Sequence, residues 1–280
     1  MNNEIISQSW KPLAADELWH WLLVDDGACE SDSSGENENP KWRLQWHNRG
    51  EARRHILRIK DSRLASALFP FSVLHTEETI VDIVAVPGRP LSSVNWRGLS
   101  QLEIRKLFEG LGSRLRHLHD MPAPSGFGDP EIGQRYQTIN AFMAARFSDL
   151  SNRLQVVESE DLRDQSVRLL AGLRQELSIF HPHGRSCWTI GRLSADRMLY
   201  DEESGKIEGI LDLGCLALRP PEYDLAALRA YGILTDHPVA DRGFWKGYQA
   251  ALTRDLERRF DYFGRLIELE RLLGYPAGLQ

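Results

Sequence analysis

The sequence predicts an α+β protein in which a strand-rich first lobe precedes a larger helix-rich second lobe. Three observations predict it. Apolar and polar residues alternate in short runs up to Val86. A Pro87-Gly88-Arg89-Pro90 break follows. Beyond the break, leucines recur at helical spacing. The reading places residues 1–86 in the first lobe and residues 87–280 in the second.

In the first lobe, Glu17 to Asp25 is apolar and aromatic, a strand or short helix. Gly27 to Pro40 is rich in Ser, Asn, Glu and Gly, and reads as a flexible acidic loop. Lys41 to Trp46 alternates Trp42, Leu44 and Trp46 with polar neighbours, and His55 to Lys60 alternates in a similar way. Asn48-Arg49-Gly50 between them reads as the turn of a hairpin. Phe71 to His75 and Thr79 to Val86 read as two further strands.

In the second lobe, Leu102, Leu107, Leu111, Leu115 and Leu118 predict a helix from Ser100 to His119, opened by a Ser100/Glu103 capping box. Helical patterns follow over Tyr136 to Leu154 and Asp161 to Phe180. Short strands are expected at Trp188, Met198 to Tyr200 and Ile207 to Leu211. Turn signals at Glu203-Ser204-Gly205 and Arg219-Pro220-Pro221 flank the last of these. The tail from Tyr223 to Leu273 reads as helical.

Composition excludes several classes. A chain of 280 residues can bury a sizeable core. Its formal charge of -6 argues against a nucleic-acid partner. No apolar run approaches the roughly 20 residues of a membrane helix. Met1 to Lys11 is polar, without an apolar secretory core. The three cysteines, Cys29, Cys187 and Cys215, are widely spaced and suggest reduced thiols in a cytoplasmic protein. Among the eight tryptophans, Trp42, Trp46 and Trp96 are candidate interface anchors.

Two stretches carry the chemistry: Thr189-Ile190-Gly191-Arg192-Leu193-Ser194-Ala195-Asp196-Arg197-Met198-Leu199-Tyr200 and Gly209-Ile210-Leu211-Asp212-Leu213-Gly214. They resemble the catalytic loop and metal-binding turn of aminoglycoside phosphotransferases and choline-kinase-like proteins. That family carries His-Gly-Asp-Leu, a three-residue spacer, Asn and an apolar pair, then a strand ending in Asp-x-Gly. Here Ile190 stands for the His, Arg192 for the catalytic Asp and Arg197 for the Asn, while Asp212 matches. Ile56-Leu57-Arg58-Ile59 is similar to the family's third strand, and Ile83 to Leu91 to its hinge. Leu111 to His119 followed by Pro122-Ala123-Pro124 is similar to the helix and exit loop after the hinge. Pro221-Glu222-Tyr223-Asp224-Leu225-Ala226 resembles its Pro-x-Tyr-Asp-Leu-Ala. The resemblance spans Lys41 to Leu273 and implies a bilobal, protein-kinase-like fold.

It also implies roles, several of which the residues contradict. An Arg has no acceptor and stays charged, so Arg192 cannot take a proton from an attacking hydroxyl. A guanidinium at Arg197 repels the cation that an amide would ligate. Asp212 is either a metal ligand or a turn residue. Asp224 is expected to brace the loop. Arg58 and Lys60 share a strand face and either meet nucleotide phosphates or are solvated. Asp61 to Pro70 offers no Glu partner, and Gly27 and Gly35 sit in an acidic stretch that repels phosphate. His181 and His183 read as loop histidines. ATP and Mg²⁺, implied by the resemblance, are expected to bind weakly or not at all.

The reading is a pseudokinase that binds a protein or peptide partner, or a small anionic ligand, between its lobes. Arg192 and Arg197 would attract carboxylates or phosphates. The alternative is an active ATP-dependent phosphotransferase on a small molecule or peptide, with Asp196 recruited as base and Asp212 holding metal.

Overall fold

The computed structural model describes the backbone of four strands and, in side-chain detail, residues 89–129, 133, 135–191, 193–210, 216–234 and 237–274. The four strands are β1 (Trp19–Leu23), β2 (Lys41–Trp46), β3 (Ser72–Thr76) and β4 (Ile80–Val84). They form one antiparallel sheet in the order β1-β2-β4-β3. Register sets Trp42 opposite Leu23 and Ile83, and Leu44 opposite Trp21 and Val81. The alternation in the sequence thus lines up apolar positions across three strands.

One expected pairing is corrected. Both edges of β2 are taken, by β1 and β4, so β2 makes no hairpin with His55 to Lys60. That segment, with Arg58 and Lys60, lies outside the described residues, as does the acidic loop Gly27 to Pro40.

After the Pro/Gly break, β5 (Arg89–Pro90) pairs with β7 (Met198–Asp201), which pairs in turn with β8 (Lys206–Ile210). The expected turn closes β7 onto β8: Asp201 accepts from Ser204 N and Gly205 N, both at 2.9 Å. A separate pair joins β6 (Cys187–Thr189) to β9 (Ala217–Arg219).

Around these strands lie α1 (Gln101–Asp120), α2 (Ile139–Leu154), α3 (Glu160–Glu176), α4 (Glu222–Ala230), α5 (Pro238–Tyr248) and α6 (Arg254–Leu272). Helix α1 opens with the expected capping box. Ser100 Oγ accepts from Glu103 N at 3.3 Å and Ser100 N donates to Glu103 Oε2 at 2.8 Å. Its buried face is Ile104, Leu107, Leu111, Leu115 and Leu118. Each such side chain contributes roughly 1.5–3 kcal/mol. Leu102, counted in the sequence pattern, is instead 61% exposed in the first turn.

Helices α1 and α5 approach at backbone distance. A Cβ on Gly112 would collide with Phe244 O, one on Gly247 with Glu109 O, and one on Gly243 would sit 2.8 Å from Arg105 O. Only glycine permits that approach. The helical tail is divided into three: Gly232 leaves α4 at φ 71°, Pro238 opens α5, and Gln249 closes it in the left-handed region. Trp96 proves to be core, not an interface anchor. It is 5% exposed and packs edge-on against Phe108 at 5.1 Å. The side chains of Trp42 and Trp46 lie outside the described residues. Among the described residues, no helix is long and apolar enough to cross a membrane.

Candidate functional site

The site grows from the β6–β9 pair. Thr189 ends β6, and its hydroxyl donates to Ala217 O at 3.0 Å, fixing the strand just before the loop. Trp188 Nε1 donates to Pro122 O at 3.3 Å, tying β6 to the exit loop of α1. The chain then turns at Gly191, which holds φ 75°, a conformation that costs other residues strain. Leu193 is fully buried. Ser194 leads into the short 3-10 turn Ala195–Arg197, which enters β7.

Asp224, in the first turn of α4, holds this loop from below. Its Oδ1 accepts from Gly191 N at 2.6 Å and its Oδ2 from Ile190 N at 3.0 Å. His119 Nε2 meets Oδ2 at 3.1 Å, and His119 Nδ1 meets Tyr248 Oη at 2.7 Å. The carboxylate accepts only, so Nε2 carries the proton and Nδ1 accepts from the Tyr248 hydroxyl. Burial pushes the Tyr248 phenol up, so that it stays a donor. All these groups are buried, Asp224 completely. The result is a saturated network joining α1, α4 and α5 to the loop backbone.

A second buried network stands behind it. Tyr223 Oη donates to Glu270 Oε2 at 2.9 Å, and Arg146 Nη2 pairs with Glu270 Oε1 at 2.8 Å. Burial works against the Arg146 charge, but Glu270, Tyr223 and Asp149 together outweigh it and hold the guanidinium above its ordinary pKa. Burial, with Glu270 facing it, pushes the Tyr223 phenol up. Cys187 is also buried, and burial pushes its thiol up, which makes it an inert packing group.

The expected site residues are distributed unevenly. Arg192 and Asp212 lie outside the described residues. Asp196 is half-buried in the 3-10 turn. Arg197, expected as a cleft cation, is 4% exposed and already engaged within the protein. His181 and His183 are exposed in the turn before β6, where His183 N donates to His181 Nδ1 at 3.2 Å. Two participants had no signal of their own. Tyr248 lies far along the chain from His119, and Arg219 reads as part of a turn yet is a buried strand residue.

A concavity of about 300 Å³ lies beside the 3-10 turn. Leu91, Val94, Trp96, Ala195, Tyr231 and Ile233 are among its walls. That volume is at the lower end of the ligand-pocket range.

Comparison with known proteins gives one direction. The family model described as "Phosphotransferase enzyme family" matches residues 82–261. Curated protein sequences give no match. Among solved structures, a thermostable mutant of an aminoglycoside phosphotransferase superposes with a TM-score of 0.60 at 16% identity, covering 86% of this chain and 85% of its own. A macrolide 2'-phosphotransferase from Brachybacterium faecium gives 0.57 at 17% identity, covering 91% and 81%. An aminoglycoside phosphotransferase from Streptomyces rimosus, in complex with ADP and streptomycin, gives 0.53 at 18% identity, covering 89% and 92%. The fold is therefore the bilobal, kinase-like one of these proteins.

Proposed function

Because the chain belongs to the phosphotransferase enzyme family, we propose that it uses the family's bilobal frame to bind a ligand and does not transfer phosphoryl groups. One observation carries this reading. The loop keeps its brace, with Asp224 holding Ile190 N and Gly191 N, but Arg192 stands where resemblance expects the proton acceptor. A loop so built is positioned, yet its reacting group cannot accept a proton. Phosphoryl transfer depends on positioning together with neutralised charge, and Arg197 stands where the resemblance expects an amide that helps hold the neutralising metal.

One position of the loop argues against a divalent cation. At the position of a metal-ligating amide stands Arg197, a buried guanidinium. The ligand this supports is an anionic one, a small molecule or the acidic side chain of a peptide, drawn to Arg192 in the cleft between the lobes. The concavity beside Ala195 gives a small ligand room for an apolar part.

One observation favours a second reading, relocated catalysis. Asp196 lies in the same turn as Arg197 and makes no ion pair among the described residues, which leaves its carboxylate available as a base.

The test is a calorimetric titration with ATP and GTP, with and without Mg²⁺. The expected outcome is weak binding or none, with no gain from Mg²⁺. A Mg²⁺-dependent dissociation constant in the low micromolar range or tighter contradicts the proposal.

A further inference from the structure

Arg219 ends β9 with its side chain 3% exposed, under the loop at Gly191. Its guanidinium lies so close that a Cβ on Gly191 would sit 2.6 Å from Nη1. One face of the guanidinium covers the Tyr223 ring at 4.7 Å. Nη1 reaches Thr189 Oγ1 at 3.5 Å, a long contact. Nothing else among the described residues satisfies it: no carboxylate pairs with it, and Nε and Nη2 donate to no acceptor. The nearby acids among the described residues are committed elsewhere. Asp224 serves two amides and His119, Glu270 serves Arg146 and Tyr223, and Glu222 pairs with Arg259 at 2.7 Å.

A buried guanidinium without a counter-charge is costly. Its Nε/Nη2 edge is the fork that matches two oxygens of a carboxylate or phosphate. We propose that Arg219 is an oxyanion-binding residue at the base of the loop, taking a phosphate or carboxylate oxygen pair on its Nε/Nη2 edge. This rests on the reading of the chain as an anion binder and names a second cation for that ligand. The cation–π contact fixes the guanidinium plane and leaves that edge for the ligand.

The test titrates the full chain with inorganic phosphate and, separately, with acetate, at constant ionic strength and without Mg²⁺ or nucleotide. Binding is followed by calorimetry and by the Arg219 Nε–H resonance. The wild type is expected to bind phosphate or acetate saturably and to shift that resonance, and the arm that binds more tightly identifies the oxyanion class. Arg219→Gln, which removes a buried charge with no ion pair among the described residues, is expected to fold and to lose about tenfold or more in affinity. If Arg219→Gln fails to fold, the wild-type resonance decides alone. Equal affinity in Arg219→Gln, or a resonance unmoved at saturation, overturns the role of Arg219 and leaves the cleft reading standing. No binding of either anion by the wild type overturns both.

Discussion

Replacing Asp224 with Ala is expected to lower global stability by about 3–5 kcal/mol, because each buried donor left without its acceptor costs about 1–3 kcal/mol. Three donors lose their acceptor at once: Ile190 N, Gly191 N and His119 Nε2. All belong to buried residues, so water does not readily replace the carboxylate. The fall in Tm is about 10 °C for a chain of this size. Amide exchange at Ile190 and Gly191 should accelerate more than exchange in α6, because the brace holds the loop directly. Urea denaturation with residue-resolved hydrogen exchange measures both. A loss under about 1 kcal/mol, or unchanged exchange at both amides, contradicts the assigned brace.

Glu270→Ala is expected to cost a similar amount, about 3–5 kcal/mol, for a different reason. It takes the main counter-charge from buried Arg146, leaving the half-exposed Asp149 at 3.3 Å among its remaining partners, and strips the acceptor from Tyr223 Oη. Arg146→Met should cost a comparable amount by orphaning Glu270. The double replacement Arg146→Met with Glu270→Leu should cost much less than the sum, because no buried charge is left over. Strict additivity of the two effects in a double-mutant cycle contradicts the coupling.

How much of this is legible in the sequence depends on the range of the interactions. Helix α1 is legible because its leucine spacing and its Ser100/Glu103 cap are both local signals. The positions of β3, β4, β7 and β8 follow from short alternating runs and turn residues. The neighbours of β2 do not, because alternation identifies a strand and leaves its partner open. The three-way division of the tail is half-legible: Pro238 marks a helix start, while Gln249 in the left-handed region carries no warning. In the site, the brace by Asp224 follows from resemblance to the family pattern. The tautomer chain through His119 to Tyr248 requires three helices to be packed first. Arg219 is least legible of all. Followed by two prolines it reads as a surface turn, and only the pairing of β9 with β6 buries it under Gly191. The burial of Arg197 is equally hidden, since in sequence a guanidinium in a loop reads as solvated.

The central claim, binding without phosphoryl transfer, is tested most directly by a phosphotransfer assay. The wild type and Asp196→Ala are incubated with Mg·ATP and Mg·GTP, with aminoglycoside, macrolide and peptide acceptors, and with candidate protein partners. The account predicts no labelled product and no nucleotide hydrolysis above a protein-free control, with the two proteins indistinguishable. Clear transfer by the wild type that disappears in Asp196→Ala, with the melting temperature of the variant unchanged, contradicts it and assigns catalysis to the relocated carboxylate.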